Sequence, residues 1–88
     1  MFRLENTSHF ERELLAFKKT HPQLVVKTRA CISRLEMNPF DSSLKTHRLH
    51  GPMKHFYAAH INHQYRIVFA IKEKVIFLFY IGSHDEVY

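Results

Sequence analysis

Apolar and polar residues alternate where the chain begins: Phe2 and Leu4 against Arg3 and Glu5. A period of two over residues 2–6 predicts a short strand. The period then lengthens. Phe10, Leu14 and Phe17 fall at i, i+4 and i+7, which predicts a helix with one apolar stripe, ending near Thr20. Ser8 followed by Glu11 reads as the capping box that opens it. Pro22 sits where a first helical turn tolerates a missing N–H. Leu24, Val25, Thr28, Cys31, Ile32 and Leu35 form a second apolar face, and Asn38-Pro39 stops it, because proline pushes the preceding residue out of the helical region. Two such helices joined by a tight turn predict a helical hairpin.

Residues 38–53 are polar and turn-rich, with Pro39, Asp41, Ser42, Ser43, Gly51 and Pro52, and a connection this long in a small chain is usually functional or disordered. Three strands are predicted beyond it, at 54–61, 65–71 and 75–82. Asn62-His63-Gln64 and Lys72-Glu73-Lys74 are short enough to close hairpins between them. The run from Val75 to Ile81 is apolar on both faces, so it should be an interior strand covered on both sides. The predicted class is α+β, in the order β-α-α-β-β-β, an antiparallel sheet with a helical hairpin on one face. Eighty-eight residues leave room for one domain, 1–88.

Composition narrows the chemistry. Thirteen Lys+Arg against eight Asp+Glu give +5 with histidine neutral, which favours a polyanionic partner, nucleic acid or acidic protein. One cysteine permits neither an internal disulfide nor a multi-cysteine zinc site. The charged N-terminus does not read as a signal peptide, and no apolar run approaches the roughly 20 residues that span a bilayer. A cytoplasmic protein with no membrane contact is the expectation. Eight histidines are unusual, and six of them (His47, His50, His55, His60, His63, His84) lie in the second half. The pairs His47/His50 and His60/His63 suggest metal ligands at first sight. On strands or loops, i and i+3 do not converge, and no thiol or carboxylate spacing completes a set, so no metal or cofactor is expected.

A three-residue first hairpin would pair residue 60 with residue 66 and aim His60 and Arg66 at one face. The exit of the last strand, Gly82-Ser83-His84, shares that edge, and a helical turn after it would stack His84 under Tyr88. The long connection brings Lys45, His47, Arg48 and Lys54 nearby in sequence. Imidazoles, a guanidinium and a tyrosine together suit metal-free RNA cleavage. The ribose 2′-hydroxyl must lose a proton, the 5′-oxygen must gain one, and the phosphorus needs its charge stabilised. Each residue also has a plainer reading: strand histidines are common surface residues, Arg66 could be an edge charge, and Lys18, Lys19, Lys27 and Arg34 read as solvated helix faces.

The runs His47-Arg48-Leu49-His50-Gly51, His60-Ile61 and Tyr65-Arg66-Ile67-Val68-Phe69, with the ending Ile81-Gly82-Ser83-His84-Asp85-Glu86-Val87-Tyr88, resemble the RelE/ParE toxin superfamily. The likeness covers roughly residues 44–88 and is strongest to its YafQ-like branch of ribosome-dependent mRNA interferases. It implies a RelE-like fold and a bacterial type II toxin that enters the ribosomal A site and cuts mRNA. A cognate acidic antitoxin would neutralise it. By this resemblance His47, His60 and His84 match histidines of the cleavage centre and Tyr88 a terminal aromatic that contacts substrate. Arg66 matches an arginine of RelE- and YoeB-like relatives. An aspartate catalytic in YafQ-like toxins falls at Gln64 here, so the general base passes to His60 or His47. His84 is then the expected general acid and Arg66 the phosphate clamp, with Lys45, Arg48 and Lys54 as RNA contacts. Two other readings stand beside this one: a ParE-type toxin that poisons DNA gyrase by binding, and a catalytically inactive basic binding module.

Overall fold

The computed structural model describes residues 1–83. Seven elements follow in order: β1 (Arg3–Asn6), α1 (Ser8–Thr20), α2 (Val25–Met37), β2 (His47–Arg48), β3 (Tyr57–His60), β4 (Tyr65–Lys72) and β5 (Val75–Ser83). They build a five-stranded sheet in the order β1-β5-β4-β3-β2. The class is α+β as expected, with two departures. The sheet is not wholly antiparallel, because β1 joins β5 in parallel, with Arg3 opposite Val75 and Asn6 opposite Leu78. The connection after α2 also contributes a fifth, two-residue strand, β2, paired with β3.

Thr7, not Ser8, caps α1. Its Oγ1 accepts from the Phe10 N–H (3.1 Å) and donates to the Leu78 carbonyl (2.9 Å). One side chain thus ends β1 on β5 and starts α1, which Ser8, one position inside the helix, could not do. The stripe of α1 buries Phe10 and Phe17, and that of α2 buries Thr28, Cys31 and Leu35. A single turn of 3-10 helix, Pro22–Leu24, joins them. These faces pack on Ala59, Ile67, Phe69, Ile76, Leu78 and Ile81 to make the main core, closed by Leu44. Each fully buried Leu, Ile or Phe contributes roughly 1.5–3 kcal/mol.

A β-bulge lies where Val68 faces Tyr80 but Phe69 faces Leu78, leaving Phe79 without an opposite number. It reverses the parity of β5, so that Leu78 and Ile81, three residues apart, both enter the main core. This is why Val75 to Ile81 shows no clean alternation. The sheet face turned away from the helices has only local cover. Leu49, Ala58 and Val68 are buried there, with Met53, Phe56 and Tyr80 packed around them. The segment 38–53 is therefore a packed part of the molecule, with Pro39 and Leu44 almost fully buried.

Candidate functional site

Three strands meet at the end of the sheet where β3 turns into β4. The Ile61 N–H donates to the Tyr65 carbonyl (3.0 Å), closing the expected three-residue turn Asn62-His63-Gln64. Asn62 holds that turn, its Oδ1 accepting from the N–H groups of Gln64 and Tyr65 (both 2.9 Å). The register this fixes sets His60 opposite Arg66, and Arg66 opposite Gly82. Residues directly opposite share a face, so His60 and Arg66 lie on the side away from the helices, with Ala58 and Val68. β2 sets His47 opposite Ala58 and so onto the same side. The His47 and His60 rings stand edge to face, 5.8 Å between centroids.

Arg66 is 9% exposed, unusual for arginine. Its Nη1 donates to the carbonyls of His63 (2.9 Å) and Asn62 (3.1 Å), which ties the guanidinium to the turn. Its Nε is buried and has no hydrogen-bond partner among the described residues. An unpaired donor on a fixed cation is an anion's natural counterpart. His60 feels this surrounding directly. Burial, followed by the charges of Arg66, His47, Lys45 and His63, pushes its pKa down from 6.5 to about 4. At neutral pH its ring is therefore the free base. Beneath it, Cys31 Sγ reaches the His60 carbonyl (3.8 Å) from α2. Burial pushes that thiol up to about 12, so it packs as a neutral group.

Of the expected site residues, the structure gathers His47, His60, Arg66 and Lys45. Lys45 lines the hollow beside His60. Arg48 is placed differently. It faces Tyr57 rather than Ala58, donating from Nη2 to the Tyr57 hydroxyl (3.0 Å) and lying over its ring (5.4 Å). Tyr57 packs on the main core, so alternation along β2 turns Arg48 away from His47. Lys54 is exposed beyond the turn Gly51–Met53 and lines neither hollow that His60 lines. His84 and Tyr88 lie outside the described residues. Among the described residues, no three His, Cys, Asp or Glu side chains are grouped to hold a metal ion. None of the described helices is long and apolar enough to cross a membrane.

Lys27, Ser43 and His63 were not singled out as site residues by the sequence, yet they line the hollow beside His60. Spacing carries no signal for them. They belong to α2, the connection and the β3–β4 turn, which only packing brings together.

A helical hairpin on one face of a five-stranded, mostly antiparallel sheet is the fold of the YafQ and YoeB RelE-like toxins. YafQ from E. coli strain BL21(DE3) superposes with a TM-score of 0.84 at 18% identity, covering 100% of this chain and 99% of that one. The toxin of an E. coli DinJ–YafQ complex gives 0.79 at 18% identity over 100% and 99%. A copper-bound mutant toxin from Helicobacter pylori gives 0.79 at 23% over the whole of both chains. No curated protein matches the chain by sequence. The family described as the bacterial toxin of the type II toxin-antitoxin system, YafQ, matches residues 2–88, and the chain belongs to it.

Proposed function

We propose that this toxin is a metal-independent endoribonuclease that cuts mRNA in the A site of the translating ribosome, acting in the cytoplasm, and that a cognate acidic antitoxin neutralises it. The observation that carries the reading is the register pair His60–Arg66, with a neutral imidazole and a buried guanidinium side by side. In this reading Arg66 holds the scissile phosphate, which satisfies its unpaired Nε. His60 takes the proton of the ribose 2′-hydroxyl, so that the 2′-oxygen attacks phosphorus and the 5′-oxygen leaves. The phosphate charge offsets the cations around His60 and raises its basicity once substrate is bound, which a base near 4 needs. His47, against the His60 ring, orients it. His84 is assigned the proton donated to the 5′-oxygen, and Tyr88 contact with the substrate. The +5 charge supports an acidic partner, and the E. coli DinJ–YafQ toxin-antitoxin complex supports its being an antitoxin protein.

The test is primer extension on a reporter mRNA after induction of the toxin, beside His60→Gln and His84→Ala. Cuts within translated codons that disappear in both variants are expected. Growth arrest with intact mRNA would replace cleavage by toxicity through binding, as for a gyrase poison. Full cutting by His60→Gln would remove His60 from the centre.

A further inference from the structure

Two adjoining hollows open at the edge of β3, where β2 no longer covers it. The first, ≈ 250 Å³, is lined by Lys27, Lys45, His60 and His63 with Ser43 and Asn62. The second, ≈ 260 Å³, shares Lys27, Ser43, His60 and Ile61 with it and continues along α2 past Ala30 to Arg34. They form one trough that begins at His60. Lys27 and Arg34 are seven residues apart, two turns on one face of α2 and about 10.5 Å along its axis. Among the described residues, no carboxylate lines either hollow. Asp41, on the same connection, is turned to Ser43, accepting from its hydroxyl (2.6 Å) and its N–H (2.9 Å). Val26, Ala30 and Ile61 supply an apolar lining between the cations.

Lys45 shows that the position is built. Its backbone is left-handed, φ 49°, a conformation costly for a side chain bearing Cβ. The segment around it holds it there. Leu44 is buried, the Lys45 N–H donates to the Ser42 carbonyl (3.2 Å), and Thr46 Oγ1 donates to the Pro39 carbonyl (2.6 Å). Lys45 held in this way lines the first hollow.

We infer that this trough is a second binding site, taking the single-stranded RNA next to the scissile phosphate. Lys27, Lys45 and Arg34 hold successive phosphodiesters, and an unstacked base rests on Val26 and Ile61. Alternating cations and apolar surface suit a flexible single strand, whose phosphates meet the cations while an unstacked base covers the apolar lining between them. The inference rests on the cleavage reading and extends it to how the substrate is held.

The test is fluorescence anisotropy of the whole toxin with a labelled RNA pentanucleotide, which carries the scissile phosphodiester and three flanking ones, its cleavage-site ribose 2′-deoxy so that it cannot be cut. Lys27→Gln and Arg34→Gln should each weaken binding about fivefold and lower the slope of log affinity against log salt by about 0.7, the share of one phosphate contact. When the three flanking phosphodiesters are replaced in turn by a neutral methylphosphonate, one replacement should cost the wild type the same factor and Lys27→Gln nothing more. Lys72→Gln, exposed at the far end of β4, is the charge-matched control and should bind like the wild type. Losses that add to that of Lys27→Gln at all three positions, or Lys27→Gln behaving like Lys72→Gln, would overturn the trough while leaving cleavage at His60 standing. RNA affinity kept by Lys27→Gln while a polyglutamate peptide is released would give the trough to a protein segment and overturn it as well. A wild-type chain that does not hold the pentanucleotide would overturn the trough, while the cleavage reading stands or falls by the primer-extension test.

Discussion

Replacing Arg66 by glutamine should raise the pKa of His60 by about one pH unit and leave it well short of 6.5. The wild-type ring titrates at about 4, with burial the largest cause and the Arg66 charge the next. The full displacement corresponds to ~3.4 kcal/mol between the charged and neutral ring before solvent screening. Since burial leads, removing one cation returns less than half of it. The displacement also appears in stability. The folded-state pKa lies below the unfolded one, so the unfolded chain takes up the proton first as pH falls. Stability should be complete above about 6.5, decline between there and about 4, and change no further through His60 below that. The ring is only partly buried, so about half of the unscreened figure, ~1.5 kcal/mol, is the expected loss. Ring-nitrogen NMR through an acid titration reads the pKa, and denaturant melts across the same window read the stability. A wild-type His60 titrating near 6.5 would refute the burial argument. Complete recovery in Arg66→Gln would show that charge, not burial, dominates. Should that variant fail to fold, Lys45→Gln, an exposed change, should shift His60 the same way by a few tenths of a pH unit.

Glu73 opens the two-residue turn between β4 and β5 at φ 59°, so Glu73→Gly should stabilise the fold by ~0.5–1 kcal/mol and raise the melting temperature by a few degrees. Thr7→Ala should cost about 1–2 kcal/mol in denaturant unfolding, since it removes both the cap and the bond to Leu78, while Ser8→Ala should stay within a few tenths. Cys31, 2% exposed and pushed up to about 12, should resist a thiol reagent at pH 8 until the chain unfolds, and rapid labelling of the native protein would contradict its packing.

Much of this molecule is written in local pattern. The stripes of α1 and α2, the stop at Asn38-Pro39, the meander and the opposition of His60 and Arg66 follow from periods and turn lengths that neighbouring residues impose on one another. What local pattern does not carry is any relation between distant segments. The parallel docking of β1 depends on Thr7 reaching Leu78, and β2 forms only because β3 offers it an edge. The bulge at Phe79 turns both Leu78 and Ile81 into a core that distant segments build together. The environment of His60 is of the same kind. Its identity is visible in the sequence, but the low basicity comes from burial in the folded chain and from the charges of Arg66, His47, Lys45 and His63. The trough at its side is assembled from α2, a connection and a turn that are neighbours only once the core has closed. Period and propensity are nearest-neighbour properties, whereas burial and electric field are sums over everything the folded chain brings near.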